Sequence, residues 1–195
     1  IPINNQSSVL GQIKKMLNKL ESTLEGVFLI NELSNKTSDK IVSFGELFSS
    51  LIIANAMQNS NLDAVLKNSQ ELIVTNNNFS NASVIFPKTI ANIQEFFKNN
   101  SSRIVILPGF VAKTEAGEVS TLGRGGSDYT AAIIAAATKA SILEIWTDVS
   151  GMYTANPKFV REAFPIQNIS YQEAMELSHF GAKVLYPPTI QPVLK

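Results

Sequence analysis

The run Ile104-Val105-Ile106-Leu107 has no polar position to turn toward water, so as an extended segment it needs cover on both faces. Similar short runs occur at Leu72 to Thr75, Ser83 to Phe86 and Ile142 to Thr147, and helical spacings separate them. Thr89 to Asn99 sets Ile90, Ile93, Phe96 and Phe97 on one face, and Ser127 to Ala140 is rich in alanine. This alternation predicts an α/β fold with a mostly parallel sheet between helices. Ahead of it, Val9, Leu10, Ile13, Met16, Leu17, Leu20, Leu24, Val27 and Phe28 predict a long amphipathic helix from Ser8 to about Leu33. A second helix is expected after Ser43, passing through Leu47, Leu51, Ile52 and Met57 and stopping at Asn59-Ser60-Asn61. Phe110 to Leu122, with Glu115-Ala116-Gly117-Glu118 at its centre, reads as a hairpin. Ser170-Tyr171-Gln172-Glu173 has the spacing of a capping box and opens a helix that Gly181 would close.

Composition narrows the chemistry. The 195 residues carry 16 basic and 16 acidic side chains, a net charge of zero, and 45% are hydrophobic, as in a soluble globular chain. Balanced charge removes the general attraction to nucleic acid or anionic lipid. No apolar run approaches the length of a membrane span and no signal-peptide layout opens the chain, so a cytoplasmic location is expected. There is no cysteine and one histidine, His179, which is read as a packed or solvent-facing residue. Thiolate and histidine-rich metal sites are thereby excluded, and catalysis must draw on carboxylates, hydroxyls, Lys, Arg and backbone amides.

The most unusual stretch is Thr121-Leu122-Gly123-Arg124-Gly125-Gly126-Ser127-Asp128-Tyr129-Thr130-Ala131-Ala132. Gly123, Gly125 and Gly126 allow a sharp turn with exposed N–H groups, and Ser127 or Asp128 then starts a helix whose N-terminus favours anions. Arg124 adds a planar fork for a carboxylate or phosphate. The plainer alternative is a glycine loop with an ordinary N-cap, Asp128 serving only the helix dipole. Thr147 and Asp148 stand at the expected end of an apolar strand, where open α/β sheets bind ligands, and Tyr153 follows after Gly151. The alternative there is a turn begun by Asp148 with Tyr153 packed beside it. Ser43-Phe44-Gly45-Glu46 supports two readings, a capping box or a carboxylate that accepts a substrate ammonium group. In Gly181-Ala182-Lys183-Val184, Lys183 is either a point charge for phosphate or a helix-end lysine.

Taken in order, Ser43-Phe44-Gly45-Glu46, the Thr121 to Ala132 run, Trp146-Thr147-Asp148-Val149-Ser150-Gly151-Met152-Tyr153 and Gly181-Ala182-Lys183-Val184-Leu185-Tyr186-Pro187 resemble the motifs of aspartokinases, in the amino acid kinase superfamily. The resemblance runs from about Leu24 to the end. It implies a three-layer sandwich with a mostly parallel central sheet, incomplete at its N-terminal end. It divides into a mainly helical part over 1–60, substrate-side strands, helix and hairpin over 61–125, and a nucleotide-binding part over 126–195. It also implies phosphorylation of the side-chain carboxylate of L-aspartate from ATP, the first step toward lysine, threonine and methionine. By motif, Glu46 takes the substrate ammonium group and tips the Ser43–Glu46 choice toward binding, while Arg124 and Ser127 take the carboxylates. Gly123, Gly125 and Gly126 form the phosphate loop and Asp128 is the catalytic carboxylate. Thr147, Asp148, Tyr153, Lys158, Lys183 and Val184 bind the nucleotide. Mg²⁺ is expected to be held through the nucleotide phosphates, with no side-chain metal cage, and a homo-oligomer is expected for the longer enzyme.

The departures are equally definite. The family's Lys-Phe-Gly-Gly-Thr-Ser segment, source of its catalytic lysine, does not occur in this sequence, nor do the ACT domains or a fused homoserine dehydrogenase. With Ile1 in place of a Met, these departures lead to the expectation of a catalytic-domain fragment that is inactive alone. Asn156, Lys158 and Tyr186 replace residues the family often has as Asp, Arg and His, which weakens Lys158 as a nucleotide contact. Two rivals remain: a superfamily enzyme acting on another small carboxylate, and a non-catalytic ligand-sensing module.

Overall fold

The computed structural model describes residues 3–179 and 189–193. The chain divides into two compact units, residues 1–127 and 128–195.

The first unit opens with two helices, α1 (Ile3–Ile30) and α2 (Asn35–Asn59), which pack on each other. On α1, Val9 is buried, but Leu10, Leu17, Leu24 and Phe28 form an exposed stripe. α2 begins well before Ser43. Its N-cap is Ser34, whose Oγ accepts from the Thr37 N–H at 3.2 Å. Its end is the expected one. Asn61 takes a left-handed φ of 59°, and Leu62 and Asn61 donate back to the carbonyls of Met57 and Gln58. By length and composition α2 is apolar enough to cross a membrane, contrary to the expectation that no such segment exists. It buries Asp39, Ser43 and Ser50 beside Phe44, Leu51 and Ala54 and packs against α1 and strands of its own unit, while Val42, Ile52 and Ile53 stay exposed.

Two small sheets follow. β1 (Ala64–Leu66) runs parallel to β3 (Ile104–Ile106), with Val65 opposite Val105. β2 (Val74–Thr75) runs parallel to β4 (Val111–Thr114), which pairs antiparallel with β5 (Val119–Thr121). The β4–β5 hairpin is the expected one, its turn closed by Gly117 at φ 84°. The run at 104–107 is half-buried, not sealed on both faces. Ser83 to Phe86 does not form the expected strand. Val84 makes one isolated bridge to Thr75, and Phe86, followed by Pro87, starts α3 (Phe86–Asn99) because proline suits a first helical turn. Thr89 of α3 binds the Val74 backbone in both directions, and Ile93 is fully buried, as are Leu72, Ile73, Val111 and Ala112.

α4 (Gly126–Thr138) starts at Gly126, just ahead of the expected Ser127 or Asp128. It too ends in a left-handed cap. Lys139 has φ 53°, and Ala140 and Lys139 donate to Ala135 and Ala136. In the second unit the expected strand from Ile142 to Thr147 is absent among the described residues: Ile142 is 73% and Trp146 90% exposed. No described strand pairs with this run, and extended backbone without a ladder has no structural advantage over a water-bonded loop. Met152 to Thr154 instead meets Phe164 to Ile166 through Ile166 N–H to Met152 O and Thr154 N–H to Phe164 O. α5 (Tyr171–His179) opens on the expected capping box. The Glu173 N–H donates to Ser170 Oγ, while Ser170 N–H and Oγ–H donate to Glu173 Oε2. Ala174 packs with Met152 and Ile190. The expected Gly181 cap lies outside the described residues.

Candidate functional site

The glycine turn is built by contacts on three sides. Thr121 ends β5, and the Gly126 N–H donates to Gly123 O at 3.1 Å, so residues 123–126 close a turn. Gly123 and Gly125 take left-handed φ values of 71° and 67°, which side chains other than glycine resist. A Cβ on Gly123 would also sit 2.9 Å from Asn81 Oδ1 and 3.0 Å from Ser80 O. Below the turn, Phe110 has φ 67° and accepts the Leu122 N–H at 3.0 Å. Ser69 donates its hydroxyl to Pro108 O and steadies that lower loop. A Cβ on Gly126 would come within 2.8 Å of Phe110 Cδ2, and one on Gly109 within 2.8 Å of Ser127 Cβ. Only bare backbone fits on both sides.

Around this frame the expected side chains are presented without partners. Arg124 and Ser127 are exposed, and neither side chain has a hydrogen bond or ion pair among the described residues. Glu46 is half-buried on α2. Its carbonyl accepts from Ser49 and Ser50, while its carboxylate has no partner among the described residues. The capping-box reading of Ser43 and Glu46 fails. Ser43 is buried mid-helix and donates back to Lys40 O at 2.8 Å, so its N–H needs no cap. Glu46 is thereby left available to a ligand.

Asp128 lies half-buried in the first turn of α4. Thr147 and Asp148 are exposed and bonded to each other, Thr147 Oγ1 donating to Asp148 Oδ1 at 3.1 Å. They sit in exposed chain outside any strand, Asp148 at a bend, and not at a strand end. Tyr153 is half-buried and bridges Pro165. Lys158 is exposed, with its N–H on Asn156 Oδ1 at 2.9 Å in a turn that Asn156 initiates. Lys183 and Val184 lie outside the described residues. Among the described residues no three acidic or histidine side chains converge on a point that suits a metal ion.

Asp39, Gly109 and Phe110 escaped sequence reasoning. Asp39 is 2% exposed, and its carboxylate accepts from Ser80 N–H, Thr121 N–H and Thr121 Oγ1. The available signal was an acid on the apolar face of a helix, four residues before Ser43 and five before Phe44. Starting that helix too late hid it.

The chain is similar to several curated proteins. It is 39% identical over 182 residues to a bifunctional aspartokinase/homoserine dehydrogenase of Buchnera aphidicola, covering 93% of this chain and 22% of that protein. It is 36% identical over 184 residues to lysine-sensitive aspartokinase 3 of Escherichia coli, covering 91% of this chain and 41% of that one. Among solved structures, E. coli aspartokinase III in complex with aspartate and ADP (R-state) superposes with a TM-score of 0.87 at 34% identity, over 95% of this chain and 41% of that chain. The form with lysine and aspartate (T-state) gives 0.84 over 97% and 42%. The chain thus spans less than half the length of these relatives. The model of the amino acid kinase family runs through residues 7–195, nearly the whole chain, and this chain belongs to that family.

Proposed function

We propose that this chain is the larger part of an aspartokinase catalytic domain, transferring the γ-phosphoryl group of ATP to the side-chain carboxylate of L-aspartate. The observation that carries the reading is the glycine turn, packed so tightly that Arg124 and Ser127 stand free beside bare backbone. The similarity to a structure with aspartate and ADP supports it. In the reaction the bond from the γ-phosphorus to the bridging oxygen breaks, a bond to the aspartate carboxylate oxygen forms, and ADP leaves with 4-phospho-L-aspartate. The acceptor carboxylate is ionised near neutral pH, so no general base is needed. The work left to the protein is alignment and charge neutralisation.

In this reading Arg124 and Ser127 hold the substrate carboxylates, Glu46 takes its ammonium group and Asp128 orients the reacting groups. Gly123, Gly125 and Gly126 present N–H groups to phosphate. Thr147, Asp148, Tyr153, Lys158, Lys183 and Val184 contact ATP. Mg²⁺ is carried on the nucleotide phosphates, whose charge it neutralises. The product feeds lysine, threonine and methionine synthesis in the cytoplasm, and the longer enzyme is a homo-oligomer. Calorimetric titration of the chain with L-aspartate, succinate and L-glutamate tests the substrate. L-aspartate is expected to bind best. Preference for another small carboxylate would move the reading to a different substrate within the family.

A further inference from the structure

The carboxylate of Asp39 joins three separate parts of the first unit. Ser80 N–H is shared between Oδ1 at 3.0 Å and Oδ2 at 2.9 Å. Thr121 donates its N–H to Oδ2 at 3.0 Å and its hydroxyl to Oδ1 at 2.8 Å. A carboxylate offers about four lone-pair positions, and all are used. No cation pairs with this buried group among the described residues; the three ion pairs there are Lys36–Glu118, Lys67–Glu71 and Lys88–Glu115. A buried charge held only by N–H and O–H donors is costly to place, and a change that removes one partner is felt strongly.

The segments it ties are those that form the site. Thr121 is the last residue before the glycine turn, and the Ala82 N–H donates to its carbonyl at 3.0 Å. Ser80 and Asn81 are the residues against which Gly123 packs. Asp39 and Glu46 are seven residues apart on α2, two turns along nearly the same face. One carboxylate thus ties the helix bearing Glu46 to the turn bearing Arg124 and Ser127.

We propose that Asp39 is a positioning residue, which sets the ammonium-binding half of the site at a fixed register from the carboxylate-binding half. The proposal rests on the substrate reading given above, and it predicts a loss of discrimination, not only of stability. The experiment compares the wild-type chain with Asp39→Asn, Thr121→Val and Thr121→Ser. Three quantities are measured: L-aspartate affinity, the preference for L-aspartate over succinate, which lacks the ammonium group, and amide exchange at residues 78–82 and 122–127, with the N–H groups of Ile104 and Lys67, which donate across the β1–β3 pair to Asp63 O and Ile106 O, as the remote control. Asp39→Asn is expected to lower the preference for L-aspartate over succinate by about tenfold and to speed exchange in the two segments while the control amides stay protected. Thr121→Val is expected to show the same pattern more weakly, and Thr121→Ser, which keeps the hydroxyl, to restore it. Should Asp39→Asn fail to fold, the Thr121 pair decides alone. Equal loss for both ligands, or unchanged preference with unchanged exchange, overturns the proposal. If the wild-type chain takes up neither ligand, the substrate reading falls. Exchange then decides the positioning role: selective loosening of 122–127 upholds it and unchanged protection ends it.

Discussion

Gly109 and Ser127 are in contact with no space for a methyl group between them: a Cβ at 109 would lie 2.8 Å from Ser127 Cβ and 2.9 Å from its Cα and Oγ. The obstruction includes backbone, so it is not relieved by a side-chain rotation. Gly109→Ala is expected to destabilise the fold by about 1–3 kcal/mol and to weaken L-aspartate binding, since Ser127 must move. Urea unfolding and calorimetry measure the two effects. An unchanged midpoint would show that the lower loop yields freely.

Gly45 is the opposite case. It is exposed within α2 and nothing lies within 4 Å of where its Cβ would be. Gly45→Ala is expected to raise stability by about 0.5–1 kcal/mol, because alanine loses less backbone entropy in a helix. The urea midpoint of the variant checks this directly.

The location of the α2 cap separates two serines. Ser34→Ala removes the acceptor of the Thr37 N–H and should cost about 1 kcal/mol. Glu46→Gln should leave stability nearly unchanged, because the Glu46 carboxylate caps nothing, and should lower L-aspartate affinity. A large loss of stability in Glu46→Gln with none in Ser34→Ala would place the helix start at Ser43 after all.

Arg124 makes no hydrogen bond or ion pair among the described residues, so Arg124→Lys should leave the unfolding midpoint in place. A lysine keeps the charge but lacks the two-pronged fork, and L-aspartate affinity is expected to fall by about tenfold. Retained affinity would mean that only the charge is used.

Glu173 titrates below its ordinary value of 4.5, held down first by the Ser170 hydroxyl and then by the Ser170 N–H, both donating to the ionised carboxylate. A depressed carboxylate contributes above the unfolded-state value and loses its contribution as pH falls through the lower folded value. Helicity across α5, followed by backbone chemical shifts, should therefore drop at acidic pH below that range. Glu173→Gln keeps the acceptor without the charge and should flatten the profile.

Two identical spacings show how far local sequence reaches. Ser170-x-x-Glu173 and Ser43-x-x-Glu46 read alike, yet only the first is a capping box, because Ser170 follows non-helical chain while Ser43 is preceded by eight helical residues, Asn35 to Val42. The β4–β5 hairpin was legible because its turn is closed within 114–118 by its own residues. The glycine turn was legible as well, since left-handed backbone at Gly123 and Gly125 needs those residue types locally. Strands depended on more than composition: Ile104 to Ile106 found Ala64 to Leu66, while Ile142 to Thr147, also largely apolar, has no described strand to pair with. By itself the sequence determined the helix faces, the hairpin and the turn chemistry, each a matter of neighbours within a few residues. Only the tertiary structure decided that Asp39 closes on Ser80 and Thr121, 41 and 82 residues away, and that Gly109 lies beneath Ser127, because buried polar groups and close packing are satisfied by whatever the fold brings alongside them.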